Sequence, residues 1–244
     1  MGEEEKSSGA EFAQSLPGRF ALESGRGLMR GLMSGWPRRA RSALVLGALA
    51  WSVAENLWEA GFDVTVQDGS PGRLEAARAV LGQRVEYALS SPDHLPFDDS
   101  SFDYAVAGPF PAPTEQADAV LVEMGRLACS GILVIFFNSW SFFGLECRMR
   151  RKIPLYAGAL ACLQSPRAVA AAARRVFSGK RRVFASILPG PLCTWRGGVV
   201  PDALNRVKFP LPLGALAALR VDFGPLYAVT PLLLGGKPAV PARS

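Results

Sequence analysis

The chain has 244 residues, of which 49% are apolar, and a net charge of +6. The apolar content is ample for a buried core, and no apolar run reaches the ~18 to 20 residues that cross a bilayer. The four cysteines form no CxxC pair and His94 is the only histidine, so neither a disulfide framework nor a metal site is expected. The acidic start MGEEEKSSGAEF is unlike a signal peptide. We therefore expect a cytoplasmic protein whose residues 1–11 are disordered.

Strand and helix patterns alternate from residue 43 onward. In chain order, the patterns predict a strand at Ala43–Gly47, a helix at Ser52–Ala60, a strand at Asp63–Gln67, a helix at Arg73–Leu81, strands at Val85–Leu89 and Phe102–Ala107, a helix from the cap Thr114 to Leu127, a strand at Ile132–Phe137, helices at Ser139–Arg151 and from the cap Ser165 to Phe177, and last strands at Arg181–Leu188 and Leu216–Val221. Repeated strand–helix units predict an α/β fold with a parallel sheet that helices cover on both faces.

Charge is distributed unevenly along the chain. From Arg148 onward there are 16 Lys and Arg residues against Asp202 and Asp222, a balance of +14, whereas residues 1–147 carry a balance of −8. Such a segment suits an ordinary solvated surface, anionic lipid or nucleic acid. Aromatic residues are not regularly interleaved with the basic ones and no nucleic-acid motif is present, which disfavours nucleic acid as a partner. We expect at most weak, salt-sensitive contact with anionic membranes.

Three short stretches resemble a known family. Residues 95–103 (LPFDDSSFD) follow the third predicted strand, residues 123–127 (EMGRL) precede the fifth, and residues 16–23 (LPGRFALE) lie ahead of the first. With the order of the segments, they resemble the class I S-adenosylmethionine-dependent methyltransferases, in particular the small-molecule enzymes of the methyltransferase type 11 kind. The resemblance implies a doubly wound, mostly parallel seven-stranded sheet, the Rossmann-like methyltransferase fold, with one reversed strand near the C-terminus.

The same resemblance implies one domain over residues 12–240. Its core would be residues 43–137, and the elements that contact substrate or act as a lid would be residues 12–41 and 139–200.

The family's cofactor loop corresponds to residues 45–51. The family has an acidic residue followed by three alternating glycines; here Val45 stands at the acidic place, Gly47 keeps the first glycine, and Leu49 and Trp51 replace the other two. Glycine is needed because the backbone turns tightly and approaches the ligand. The cofactor-binding candidates in this loop are Gly47, Ala48 and Leu49, and we expect Leu49 and Trp51 to fill the pocket or displace the loop.

The family's ribose contact is an acidic residue at the end of the second strand. Asp68 holds this position and Gly69 follows it. A carboxylate suits a ribose because its two oxygens accept from two hydroxyls. The alternative is that Asp68 merely caps the helix that follows.

The family's adenine contacts correspond to Ser91 and Pro92. The family places an Asp and a small residue with a free backbone N–H there, whereas serine lacks the carboxylate and proline has no N–H. His94 could stack on adenine, but we favour a solvent-facing loop histidine. No catalytic residue is identified, because the stretch after the fourth strand, GPFPAP, contains no His, Asp or Tyr.

Three functions follow from these observations. The chain could be an active methyltransferase that uses S-adenosylmethionine on a small-molecule or lipid-like acceptor. It could be a non-catalytic relative, a binding or regulatory module with a filled cofactor pocket, because a fold alone does not fix a function. A third is a peripheral-membrane or nucleic-acid protein that acts through its basic part. The altered contacts predict that S-adenosylmethionine binding is weak or lost.

Overall fold

A computed structural model describes residues 15–37, 41–47, 50–92, 94–108, 117–153, 163–196, 205 and 207–224. The strands in chain order are β1 (Ser42–Leu46), β2 (Asp63–Asp68), β3 (Glu86–Leu89), β4 (Phe102–Ala107), β5 (Ala128–Asn138), β6 (Leu163–Gln164), β7 (Arg181–Ile187) and β8 (Leu216–Asp222). The α-helices are α1 (Leu16–Leu32), α2 (Ala50–Glu59), α3 (Pro71–Leu81), α4 (Ala117–Leu127), α5 (Phe142–Met149) and α6 (Pro166–Val176), and short 3-10 turns lie at Met33–Gly35 and Leu192–Thr194.

The strands form one sheet in the order β3-β2-β1-β4-β5-β8-β7. Neighbouring strands from β3 to β5 run parallel, and β8 is antiparallel to both β5 and β7. The predicted α/β fold is therefore confirmed, with its mostly parallel sheet and one reversed strand near the C-terminus. The two-residue β6 pairs with the end of β5 as an eighth strand, which the sequence patterns did not predict.

Alternate residues of β1 pack into two separate hydrophobic cores, one on each face of the sheet. Ala43 and Val45 belong to the cluster that α1, α2 and α3 cover, whereas Leu44 and Leu46 belong to the cluster under α4 and α6. This alternation follows from the two-residue period of a strand, and it explains why β1 is apolar throughout. The sheet is thus covered by helices on both faces, as the sequence predicts.

The helix α1 was not predicted as such. Ser15 caps it, since the Ser15 hydroxyl oxygen accepts a hydrogen bond from the Gly18 backbone N–H at 3.1 Å, and Pro17 lies in the first turn. Serine followed by an early proline is a recognised helix start. Ser165 caps its helix as predicted, since its side chain accepts from the Ala168 backbone N–H. The predicted cap Thr114 lies outside the described residues, and so do residues 1–11, which were predicted to be disordered.

A buried ionic cluster fastens the end of α1 to the sheet. The Arg220 guanidinium forms a bidentate salt bridge with Asp222, with N–O distances of 2.7 and 2.9 Å, and it also donates to the Leu32 carbonyl. The Trp36 indole N–H donates to the Asp222 carboxylate at 3.0 Å, and the Trp36 ring stacks on Tyr104 at 4.1 Å. Residues far apart in sequence thereby hold α1 over the α1–α2 face of the sheet.

Two of the family-like stretches are joined by direct contacts. Arg126 of α4 donates to the backbone carbonyls of Leu95 and Phe97 and to the carboxylates of Asp99 and Glu123. Glu123 in turn accepts from the Leu95 backbone N–H at 2.9 Å. The EMGRL helix therefore holds the LPFDDSSFD loop in place, which gives a structural reason for the two stretches to occur together.

This contact predicts a pH dependence of stability. Hydrogen bonds from Arg126 hold the pKa of the Glu123 carboxyl below its ordinary value of 4.5, against a smaller opposing effect of burial. A lowered folded-state pKa contributes stability that is present above the unfolded pKa and is lost as the pH falls through the folded one. We expect the difference in unfolding free energy between wild type and Glu123→Gln to be full near pH ~7 and to shrink below pH ~4.5. Urea unfolding at several pH values measures this, and a constant difference would contradict it.

Candidate functional site

The predicted cofactor residues meet at one edge of the sheet. The register pairs Leu46 with Gln67 and Asp68 with Leu89, so the segments after β1, β2 and β3 emerge side by side. The strand order reverses between β1 and β4, and ligands of open α/β sheets bind beside such a reversal, at the carboxyl ends of the strands. The backbone N–H of Gly108 donates to the Leu46 carbonyl at 2.9 Å at this reversal.

Gly47 retains the conformation of a tight loop. Its φ is +116°, a value that side chains disfavour, and its carbonyl accepts from the Ala50 backbone N–H at 3.0 Å. Ala48 and Leu49 lie outside the described residues. Trp51 lies in the first turn of α2, half-buried, and packs against the core cluster under α1, α2 and α3. Its replacement would therefore affect the core as well as the loop.

Asp68 is buried and both of its carboxylate oxygens are engaged. Arg73 of α3 donates from Nε to Oδ2 at 2.8 Å and from a terminal nitrogen to Oδ1 at 2.6 Å, and Oδ1 also accepts from the Ser70 backbone N–H at 2.8 Å. The hydrogen bond to Asp68 raises the pKa of Arg73 above its ordinary value, against a smaller effect of burial. The contact with Ser70 lies in the turn before α3 and does not cap the helix, because Ser70 is itself the N-cap residue and no side chain caps the first turn. The contacts with Arg73 were not foreseen, and they place a charged donor on both of the oxygens that a ribose would need.

The segment after β3 brings one unforeseen residue to this edge. Ser90 lies beside Gly69, its backbone N–H donates to the Asp68 carbonyl at 3.2 Å, and its buried hydroxyl oxygen has no hydrogen-bond partner among the described residues. Ser91 and His94 are exposed and form an isolated bridge, with the His94 N–H 3.3 Å from the Ser91 carbonyl. Pro92 is half-buried. The exposure of His94 agrees with the solvent-facing alternative.

A cavity lies between α1, α2 and the sheet, beside the strand reversal. Its volume is about 40 Å³, and it is partly open to solvent. Its walls are mainly apolar and include Met29, Val53, Ile135 and Phe137. Gly108 also lines it, at a position where a Cβ would lie only 3.1 Å from a Val53 methyl group. The apolar walls suit an apolar group, and the small volume limits an occupant to a small one.

Asn56, which lines this cavity, carries a buried hydrogen-bond acceptor without a partner among the described residues. The residue is 2% exposed, its Nδ2 donates to the Ser52 carbonyl at 2.7 Å, and its Oδ1 has no partner among the described residues. Because a carbonyl must face the N–H₂ group, the contact with Ser52 fixes which side of the amide is the free oxygen. The charged side chain among the described lining residues, Arg26, is paired with Glu55. Buried acceptors are rarely left unpaired, so Asn56 needs an explanation.

Two further kinds of feature are absent from the part of the chain that the structure describes. No group of three or more His, Cys, Asp or Glu side chains there could hold a metal ion. In the same part, none of the helices has the length and apolar character to cross a membrane.

The fold and the edge described above define a class I methyltransferase-like domain. Residues 44–136 match the family model described as "Methyltransferase domain". Over these residues the resemblance to the class I S-adenosylmethionine-dependent methyltransferases is therefore confirmed.

Solved structures share the fold at low sequence identity. An S-adenosylmethionine-dependent methyltransferase of Thermotoga maritima, described as a possible histamine N-methyltransferase, has a TM-score of 0.65 and 19% identity, over 91% of this chain and 99% of the other. Magnesium protoporphyrin IX methyltransferase of Synechocystis with bound S-adenosylhomocysteine has a TM-score of 0.56 and 13% identity, over 84% of each chain. An S-adenosylmethionine-dependent methyltransferase of Methanosarcina mazei has a TM-score of 0.54 and 15% identity, over 78% of this chain and 96% of the other. Proteins of curated function give no match.

Proposed function

We propose that the chain is a methyltransferase-family protein that binds S-adenosylmethionine weakly or not at all, and that binds a small, mainly apolar molecule in the cavity beside Asn56. The observation that carries this proposal is the engagement of Asp68. Both of its oxygens accept from Arg73, and one also accepts from the Ser70 N–H. The ribose hydroxyls of the cofactor would have to displace a charged, bidentate partner, which neutral donors do poorly.

The other cofactor contacts support the same proposal. Leu49 and Trp51 replace loop glycines, Ser91 is exposed, and Pro92 has no N–H to offer the adenine. The residues as arranged therefore do not fit S-adenosylmethionine well. Under this proposal the chain is a binding or regulatory module and not an active methyltransferase.

The cavity supports a particular class of ligand. Apolar walls favour a mainly apolar molecule, and the free Asn56 Oδ1 favours one that carries an N–H or O–H donor. Pairing of Arg26 with Glu55 leaves no unpaired charge on the described lining residues, which disfavours an ionic ligand.

An active methyltransferase is the second candidate, and two observations favour it. Gly47 keeps the left-handed turn of a cofactor loop, and the Arg73 side chain is 43% exposed, so it can leave Asp68 without crossing the core. In this candidate the cavity holds a small-molecule acceptor. Methyl transfer to a soft nucleophile can proceed by alignment and desolvation, so the lack of an identified base does not argue against it.

Thermal unfolding of the full chain with separate ligands tests the proposal. A ligand that binds only the folded state raises the melting temperature as its concentration rises. We expect indole or phenol, which are small, apolar and carry one donor, to raise it, and S-adenosylmethionine and S-adenosylhomocysteine to leave it unchanged. Stabilisation by the two cofactors alone would favour the active methyltransferase instead.

Replacing Asn56 by leucine gives a more specific prediction. Leucine has a similar shape but no buried acceptor, so the unfolding free energy should rise by about 1 kcal/mol, because an unpaired buried polar group costs ~1 to 3 kcal/mol. Binding of the donor ligand should fall about tenfold for the same reason. Denaturant unfolding and ligand titration measure the two effects, with Val122→Ser, a change on the exposed part of α4, as a control. A loss of stability without a loss of binding would contradict a ligand-binding role.

A further inference from the structure

The helix α5 is held on the domain by one face. Phe143 and Cys147 are buried, and the Phe143 ring lies 4.8 Å from the Trp195 ring and 5.9 Å from the Phe137 ring, measured between centroids. The Ser141 hydroxyl oxygen caps the helix by accepting from the Gly144 N–H at 3.1 Å. Packing therefore sets the orientation of α5 and determines which of its residues face outward.

The outer face of α5 is also apolar. Phe142, Leu145 and Met149 are 63%, 50% and 76% exposed, and their spacing of three and four residues places them on one side of the helix. Trp140 and Ile153, at either end, are 45% and 46% exposed. A single exposed apolar residue needs no explanation, but a contiguous group of this size marks an interaction site.

The loop before β8 extends this apolar area. The Asn138 amide donates to the carbonyls of Pro212 and Gly214, both at 2.9 Å, and accepts from the Trp140 backbone N–H at 2.8 Å. These bonds place the exposed Leu211 and Leu213 next to the segment that leads into α5. We call the combined area the α5 surface; it comprises Trp140, Phe142, Leu145, Met149, Ile153, Leu211 and Leu213.

Positive charge adjoins the α5 surface. Arg148, Arg150, Arg151 and Lys152 follow one another at the end of α5, and all four are exposed. The acidic residue of α5, Glu146, is turned toward the domain, since its carboxylate accepts from the Leu192 backbone N–H at 2.8 Å. Beside Trp140, the Arg167 guanidinium lies 4.5 Å from the ring centroid. Exposed cations therefore lie along the edge of the apolar face.

We infer that the α5 surface docks on an anionic lipid bilayer. Exposed aromatic and aliphatic side chains beside Lys and Arg suit the boundary between headgroups and acyl chains, where apolar groups enter and cations meet phosphates. Charge complementarity selects anionic lipid over a neutral membrane. Each Lys or Arg near such a surface adds about 1 kcal/mol, which is about a fivefold gain in affinity.

This inference differs from what the charge count alone predicts. Charges by themselves give contact that salt abolishes, whereas buried apolar side chains contribute attraction that salt does not screen. The α5 surface should therefore bind less in high salt but retain a measurable part. The inference does not rest on the proposed function, because the cavity and α5 use different residues.

Vesicle binding of the full chain tests the inference. Co-sedimentation with phosphatidylcholine vesicles containing about 30% phosphatidylglycerol should recover the protein at ~0.1 M salt, less of it at ~0.5 M, and little with phosphatidylcholine alone. Phe142→Ser with Met149→Ser should remove the salt-resistant part, and Arg151→Gln with Lys152→Gln should weaken binding by about tenfold or more. The matched controls, Val80→Ser with Val122→Ser and Arg19→Gln with Arg174→Gln, change exposed residues elsewhere and should bind as wild type does.

Tryptophan fluorescence supplies a second measurement. The Trp140 emission should shift to shorter wavelength on binding, and Trp140→Phe should abolish that shift. Equal binding by the α5 variants and the controls would overturn the inference. So would self-association of the wild type without vesicles that Phe142→Ser with Met149→Ser abolishes, because a second copy of the chain would then be the partner.

Discussion

Asp222→Ala is expected to lower the free energy of unfolding by about 3 to 5 kcal/mol, the range measured when one partner of a buried ion pair is removed. Asp222 and Arg220 are 4% and 6% exposed, and Asp222 also accepts from the Trp36 indole. The substitution leaves a buried guanidinium and an indole N–H without their acceptor. It also releases the end of α1, so fluorescence of Trp36 should change in the folded state.

Urea unfolding followed by circular dichroism measures this loss. The matched control is Asp118→Ala, which breaks an equally bidentate pair with Arg175 that is exposed on both sides. An exposed pair contributes at most about 1 kcal/mol, so the control should change little. Similar losses in the two variants would contradict the role given to the buried cluster.

Arg73→Ala is expected to increase the affinity for S-adenosylhomocysteine, since it removes the donors that engage Asp68. Each neutral hydrogen bond contributes ~0.5 to 1.5 kcal/mol, so two regained ribose contacts correspond to roughly a tenfold gain or more. The gain should be larger with Leu49→Gly and Trp51→Gly added, because glycines let the loop approach the ligand. The triple variant should be less stable, since Trp51 packs against the core.

Asp68→Ala in the same background provides the control. It should abolish the regained binding, because the recovered contacts are to the Asp68 carboxylate. Arg78→Ala, which removes an exposed arginine of the same helix α3, should leave the affinity unchanged. If Arg73→Ala leaves the affinity as unchanged as Arg78→Ala does, then Arg73 is not the group that blocks the ribose site.

Periodicity predicted most of the sheet because β1 and β5 carry unbroken apolar runs and β2 carries alternating β-branched residues. Phe102–Ala107 is a strand as predicted, and β5 extends beyond the predicted Ile132–Phe137 because its first residues continue the pairing with β4. β6 was missed, since two residues are too few to carry a period. The helix α1 was missed because its two inward glycines, Gly18 and Gly25, weaken the helical pattern.

The candidate site was predictable in position but not in its contacts. Register brings Gly47, Asp68 and Ser91 to one edge, as strand ends in a parallel sheet require. The partner of Asp68 was not predictable, because the choice of Arg73 depends on how α3 leaves β2. The free acceptor of Asn56 could not be read either, because an asparagine in a helix more often faces solvent.

The measurement that tests the central claim most directly is titration calorimetry of the unmodified protein with S-adenosylhomocysteine. The engagement of Asp68 by Arg73, with Leu49, Trp51 and Pro92 in the cofactor positions, predicts no measurable heat or a dissociation constant of roughly millimolar. A micromolar constant that Asp68→Ala abolishes would contradict the claim, because it would show that the cofactor displaces Arg73 and binds the carboxylate in the wild type.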